Sequence, residues 1–165
     1  MKHLHVVFAS VLVIVLSLAG CKKDDNPTQQ STNPSVTGCN FTTDVVAVDG
    51  VTKSIIRPVC HVLGSSYFAE FLIDTSAAPT GIAMIFLGTA APVAGDYAIV
   101  TQVNQVAAGK VFVEFYDPTN AWDGTTGTVK VTVSGSQTIV SFCTLDLFNT
   151  PTNRKTVSVR ATCNL

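Results

Sequence analysis

The chain has 165 residues, a formal net charge of −1, 13% charged residues and 47% hydrophobic ones. Basic residues are few and scattered, which excludes the positive footprint of a nucleic-acid binder. The charged fraction is about half that of an ordinary soluble domain, and the surplus of Val, Thr and Ser suits strands better than helices.

Residues 1–20 read as a secretory signal. Lys2 supplies the positive start, and Val6 to Leu16 is an apolar run broken only by Ser10. A bilayer span takes about 20 apolar residues; this shorter run suits the core of a signal peptide. Leu18-Ala19-Gly20-Cys21 follows, with Leu three residues before Cys and small residues at the junction. This stretch resembles the lipobox of bacterial lipoproteins. The resemblance implies a diacylglycerol on the Cys21 thiol, cleavage before Cys21, and attachment to a membrane through lipid, since two or more acyl chains hold stably. Cys21-Lys22-Lys23-Asp24-Asp25 is similar to the start of surface lipoproteins of the Bacteroidetes group, where an acid-containing stretch after the Cys directs export. Lys22 stands where an inner-membrane retention signal has Asp. The implied location is the outer membrane, at the cell surface or on the periplasmic face. Losing the signal also removes His3, His5 and Lys2, so nine basic residues then face eleven acidic ones.

Residues 21–38 form the lipid-bearing Cys and a tether rich in Asn, Pro, Thr, Gln and Ser. Such a segment buries too little apolar surface to offset its ordering entropy. Fully extended, it reaches on the order of 55–60 Å. Residues 39–165 make one domain. Strands are predicted near 41–48, 54–63, 66–73, 82–87, 96–101, 110–116, 127–133, 137–147 and 154–163. Short strands with regular turn signals predict an all-β antiparallel β-sandwich of about eight or nine strands, with a β-barrel as the alternative. Val129, Val131 and Val133 alternate with Lys130 and Thr132, and Val157, Val159, Ala161 and Cys163 alternate with polar residues. Both strands therefore have one buried face. Ile82 to Leu87 is apolar on both faces and reads as a central strand.

Asp49-Gly50 is a strong two-residue turn signal because both positions tolerate positive φ. It pairs Val48 with Val51 and sets partner numbers that sum to 99. Carried outward, that register puts Cys39 opposite Cys60. Two disulfides are expected from Cys39, Cys60, Cys143 and Cys163 in an oxidising compartment. The preferred pairing is Cys39–Cys60 with Cys143–Cys163. The rival is Cys39–Cys163 with Cys60–Cys143. A thiolate metal site lacks any Cys-x-x-Cys pair, so no metal or other cofactor is expected.

Candidate chemistry is sparse. His61, within a strand, is the sole histidine after the signal, and no Gly-x-Ser-x-Gly nucleophile motif is present. Glu70 and Glu114 lie in strands among aromatics; a hydrolase would need both in one cleft. The stretch Asp117 to Gly127 reads as a long loop holding the sole Trp. Trp122 with Asp117, Asn120 and Asp123 is the candidate glycan contact, provided the indole is exposed. The competing reading folds Trp122 back to close one end of the sandwich.

Beyond the lipobox, Val48-Asp49-Gly50, Gly95-Asp96-Tyr97, Gly127-Thr128-Val129-Lys130-Val131 and a later strand with Phe142 together resemble small Bacteroidetes-type lipoproteins of unknown function. That resemblance implies a β-sandwich, no activity, and Cys21 as the one transferable site. The expected function is a non-enzymatic binding or structural module with a glycan or protein partner. The alternatives are a glycan-binding accessory lipoprotein using Trp122 and a hydrolase using Glu70 and Glu114.

Overall fold

The structure is a computed structural model that describes residues 39–164; the expected signal, the lipobox-like stretch with Cys21 and the expected tether lie outside them. Eleven strands run in order: β1 (Val45–Val48), β2 (Val51–Ser54), β3 (Arg57–Leu63), β4 (Ser66–Leu72), β5 (Gly81–Leu87), β6 (Gly95–Val100), β7 (Lys110–Tyr116), β8 (Ala121–Gly124), β9 (Thr128–Ser134), β10 (Gln137–Thr150) and β11 (Asn153–Asn164). The all-β reading holds, with eleven strands in one sheet of order β2-β1-β11-β10-β9-β6-β7-β5-β4-β3, and β8 bridging β10 and β7. One short pairing, β6 with β7, is parallel. Buried side chains from β1, β9, β10 and β11 share one core with those from β4, β5 and β7. The sheet thus folds over its own inner face.

Local sequence explains the first hairpin. Asp49 and Gly50 take φ of 50° and 80°, the double left-handed geometry that a two-residue turn needs. Val48 pairs with Val51 and Val45 with Ser54, in the register that Asp-Gly predicts. The register then stops. Ile56 N–H donates to Leu72 O at 2.9 Å, and β3 departs to pair with β4 at the opposite edge of the sheet. The strand expected over 54–63 is therefore two strands in two places.

That departure overturns both expected cysteine pairings. The disulfides are Cys39–Cys143 and Cys60–Cys163, with Cα separations of 5.7 and 5.9 Å. Cys39–Cys60 fails because Cys60 has left the hairpin. Cys143–Cys163 fails because the β10–β11 register sets Thr138, not Cys143, opposite Cys163. Alternation also turns the two cysteines apart: Cys163 is fully buried with Val157, Val159 and Ala161, whereas Cys143 is half-buried on the other face. A bulge at Cys143-Thr144 adds one residue between Phe142 and Leu145, which lets both of those side chains reach the core despite their odd spacing. Thr144 takes φ of 53° there, and its N–H donates to Ser158 Oγ at 2.8 Å.

β5 is a central strand, paired with β4 on one side and β7 on the other. Ile82, Met84 and Phe86 are buried inward, while Ala83, Ile85 and Leu87 on the outer face stay partly open. Val129 and Val131 point into the core as expected, but Val133, near the strand end, is 43% exposed.

The pairings β10–β9–β6–β7–β8–β10 form a closed circuit. β7 gives its first half to β6 and its second half to β8. β10 divides in the same way between β9 and β8. Glycine is required where these halves meet: Gly127 has φ of 126°, and a Cβ there would collide with Leu145 Cδ2.

Peptide mapping of the unreduced chain is expected to recover Cys39–Cys143 and Cys60–Cys163. Each bridge closes a span of over 100 residues. Replacing Cys60 and Cys163 together by Ala is expected to lower unfolding free energy by about 4 kcal/mol through denatured-chain entropy, measured by denaturant titration.

Candidate functional site

The four residues expected to contact a glycan do not converge. β8 lies within the stretch expected to be loop, and strand alternation sends its neighbours to opposite faces. Trp122 is 3% exposed and packs against Phe115 with ring centroids 5.6 Å apart. Its Nε1 donates to Asn153 Oδ1 at 3.0 Å, and Lys155 Nζ lies 5.7 Å from the ring centre. No indole face is offered to a sugar: Trp122 folds back and closes the core, the reading that competed with a glycan contact. Asp117 Oδ1 accepts the N–H groups of Thr119 and Asn120, each at 2.8 Å, and Asn120 Nδ2 donates to Thr119 Oγ1. Both residues thus build the β7–β8 turn. Hydrogen bonds from Thr119 hold the Asp117 carboxyl below its ordinary range. Asp123 points to the outer face instead.

That outer face brings together three acids that take no part in the ion pairs Lys155–Asp49 and Arg160–Asp44. Register aligns Glu70, Ala83, Glu114, Asp123 and Phe148 in one transverse row across β4, β5, β7, β8 and β10. Directly opposed residues on a ladder share a face. The adjacent row is Arg57, Leu72, Gly81 and Tyr116. Glu70 and Glu114 share the face but not a border: β5 stands between them, so their backbones lie about 10 Å apart. Glu114 instead meets Asp123.

Tyr116 Oη donates to Glu70 Oε1 at 2.5 Å. The phenol reaches across Gly81, where a Cβ would lie 2.7 Å from that hydroxyl. Glycine is thus the condition for the Tyr–Glu bond. Burial, then the Glu70 bond and the Glu70 and Glu114 charges, drive the phenol pKa well up, with Arg57 opposing. Burial raises Glu114, and Asp123 raises it further by its charge and by accepting a hydrogen bond from the protonated Glu114 carboxyl. Burial also raises Asp123, with the Glu114 bond opposing. Asp123 Oδ1 is buried without a hydrogen-bond partner.

Other candidates have structural work. His61 stacks on Phe68 at 5.6 Å with a 13° interplanar angle. Asp74 borders a recess of about 230 Å³ beside Arg57 and Leu72. Its oxygens accept from Ser76 N, Ser76 Oγ and Thr80 N, which lowers its pKa to about 2. Among the described residues no three metal-ligating side chains converge. The row of acids was missed because its register depends on β8. Recognising Tyr116 and Ala121 as the ends of a four-residue turn would have placed Glu114 opposite Asp123.

Comparison with known proteins finds no matching family model, curated protein or solved structure.

Tyr116→Phe is expected to cost about 1–2 kcal/mol, the range for a partly exposed hydrogen bond to a charged group. Gly81→Ala should cost at least as much, because the new methyl displaces the phenol. Trp122→Ala should cost more, about 3–5 kcal/mol, as for a buried aromatic. Denaturant unfolding of the three variants checks the order.

Proposed function

We propose that this chain is an exported lipoprotein, anchored to the outer membrane through Cys21, whose β domain serves as a non-enzymatic binding or structural module. The observation that carries the reading is the use of cysteine. All four cysteines of the domain are consumed in two disulfides, which fits an oxidising, exported location. That leaves Cys21 as the remaining thiol, set behind Leu18-Ala19-Gly20. Among the described residues no helix is long and apolar enough to cross a membrane.

The non-enzymatic part rests on where the candidate groups are spent. Trp122 fills the core, Asp117 and Asn120 build a turn, Glu70 is bonded by Tyr116, and His61 stacks on Phe68. Each acts in holding the fold. A disulfide-braced domain on a polar tether is suited to presenting a fixed surface at a distance from a membrane.

Metabolic labelling with an alkyne fatty acid tests the anchor. The native chain is expected to take label and fractionate with outer membranes. Cys21→Ala should lose both label and membrane association while keeping its two disulfides. Label retained by Cys21→Ala, or an unlabelled native chain in the soluble fraction, overturns the reading.

A further inference from the structure

Among the described strand pairings, Glu114 and Asp123 are the two acids set directly opposite one another. Ionised carboxylates only accept hydrogen bonds, and like charges across a ladder oppose pairing. The position of Asp123 sharpens the conflict. β8 is four residues long and is held by two ladders, and Asp123 belongs to both: it pairs with Glu114 on β7 and with Phe148 on β10. The strand that completes the β10–β9–β6–β7–β8 circuit therefore carries an acid–acid contact at its hinge position.

We propose that Glu114 and Asp123 share one proton and form a proton-operated latch on β8. With the proton in place, Glu114 donates to Asp123, and β8 stays clamped between β7 and β10. When the proton leaves, two carboxylates confront each other across the ladder, and β8 loosens from its neighbours.

The surroundings do not supply a cation in its place. On β7, Tyr116 lies one step along the same face, and its hydroxyl is committed to Glu70 of β4. β5 offers only Ala83 at this row. Arg57 of β3 lies in the adjacent row. Arg154 of β11 sits over the Phe148 ring at 5.1 Å, beyond Asp123. The ion pairs of the described residues are Lys155–Asp49 and Arg160–Asp44, and neither touches the row.

The direction with pH follows. Both carboxyls hold their proton more tightly in the folded chain than an ordinary Glu or Asp does, chiefly through burial. Stabilisation from such groups is complete at low pH and is lost as pH rises past the ordinary carboxyl range, because the folded state then binds more protons than the unfolded one. Asp49, Asp74 and Asp117 are lowered in the fold. Their stabilisation is present above the ordinary Asp value and is lost on acidification below about pH 4. The two effects occupy different windows, so measurements above pH 5 isolate the latch.

The test is hydrogen exchange of the β8 amides in the full chain between pH 5 and 8, corrected for intrinsic exchange and referred to β5. Trp122, the sole tryptophan and a β8 residue, reports the same event by fluorescence. In the native chain β8 is expected to exchange several-fold faster at pH 8 than at pH 5, about the factor that like charges set opposite one another on a ladder produce. Asp123→Asn and Glu114→Gln should each remove most of that dependence. A flat native profile, or a dependence that survives in both variants, overturns the proposal. Should either variant fail to fold, carboxyl NMR titration of the native chain decides: one apparent pKa of the pair above the ordinary Glu value supports sharing, and two ordinary values exclude it.

Discussion

The Cys60–Cys163 bridge lies where the sheet meets itself. An eleven-stranded sheet with one apolar face must twist and cover that face to be stable in water. Here the cover is the other half of the same sheet, and the bridge joins edge strand β3 to β11 across the core. Cys163 is fully buried beside Ala161 and Val159, and Cys60 packs against the same cluster. The inner positions of β4, β5 and β7 are buried because this closure brings β10 and β11 over them. Cys39–Cys143 does a different job: it ties the start of the domain to the bulge on β10.

Closure leaves a local problem that β8 solves. β6 covers only the first half of β7, and β9 only the first half of β10. Without a further strand the second halves would present unpaired backbone groups over a core that contains Val113, Leu145 and Leu147. β8 fills that gap and brings Trp122 inward to seal it. Gly127 follows so that the chain can turn into β9 against Leu145 without a Cβ in the way.

Features set by neighbours in sequence were legible; those set by distant partners were not. Asp49-Gly50 dictated its turn and the register of four residue pairs between β1 and β2, and both are present. The alternation from Val157 to Cys163 announced its buried face. The apolar run from Ile82 marked a central strand. The limits were equally local. Ile55 and Ile56 read as a continuing strand because nothing in their chemistry reveals that Ile56 bonds Leu72 of another strand. Cysteine pairing failed for the same reason: each bridge joins residues over 100 positions apart. β8 was read as loop because four residues show no periodicity and its flanks are Asp, Asn and Gly. Trp122 among polar neighbours suggested a sugar platform until β8 turned it inward.

The outer row of Glu70, Glu114 and Asp123 departs from how the rest of the chain handles charge. With 13% charged residues, this domain has few acids, and most are held. Asp44 accepts from Arg160 and Thr162, Asp49 from Lys155 and Thr156, Asp74 from Ser76 and Thr80, and Asp117 from its own turn. At Asp49, Asp74 and Asp117 those bonds favour the ionised form. Glu114 and Asp123 do the reverse: they are half-buried and set directly opposite one another, and among the described residues no cation lies between them. A fold otherwise consistent from propensity to packing tends to break such rules where a function is carried. Here the break falls on β8, the four-residue strand that joins the second halves of β7 and β10, so electrostatic cost and mechanical leverage coincide at Asp123.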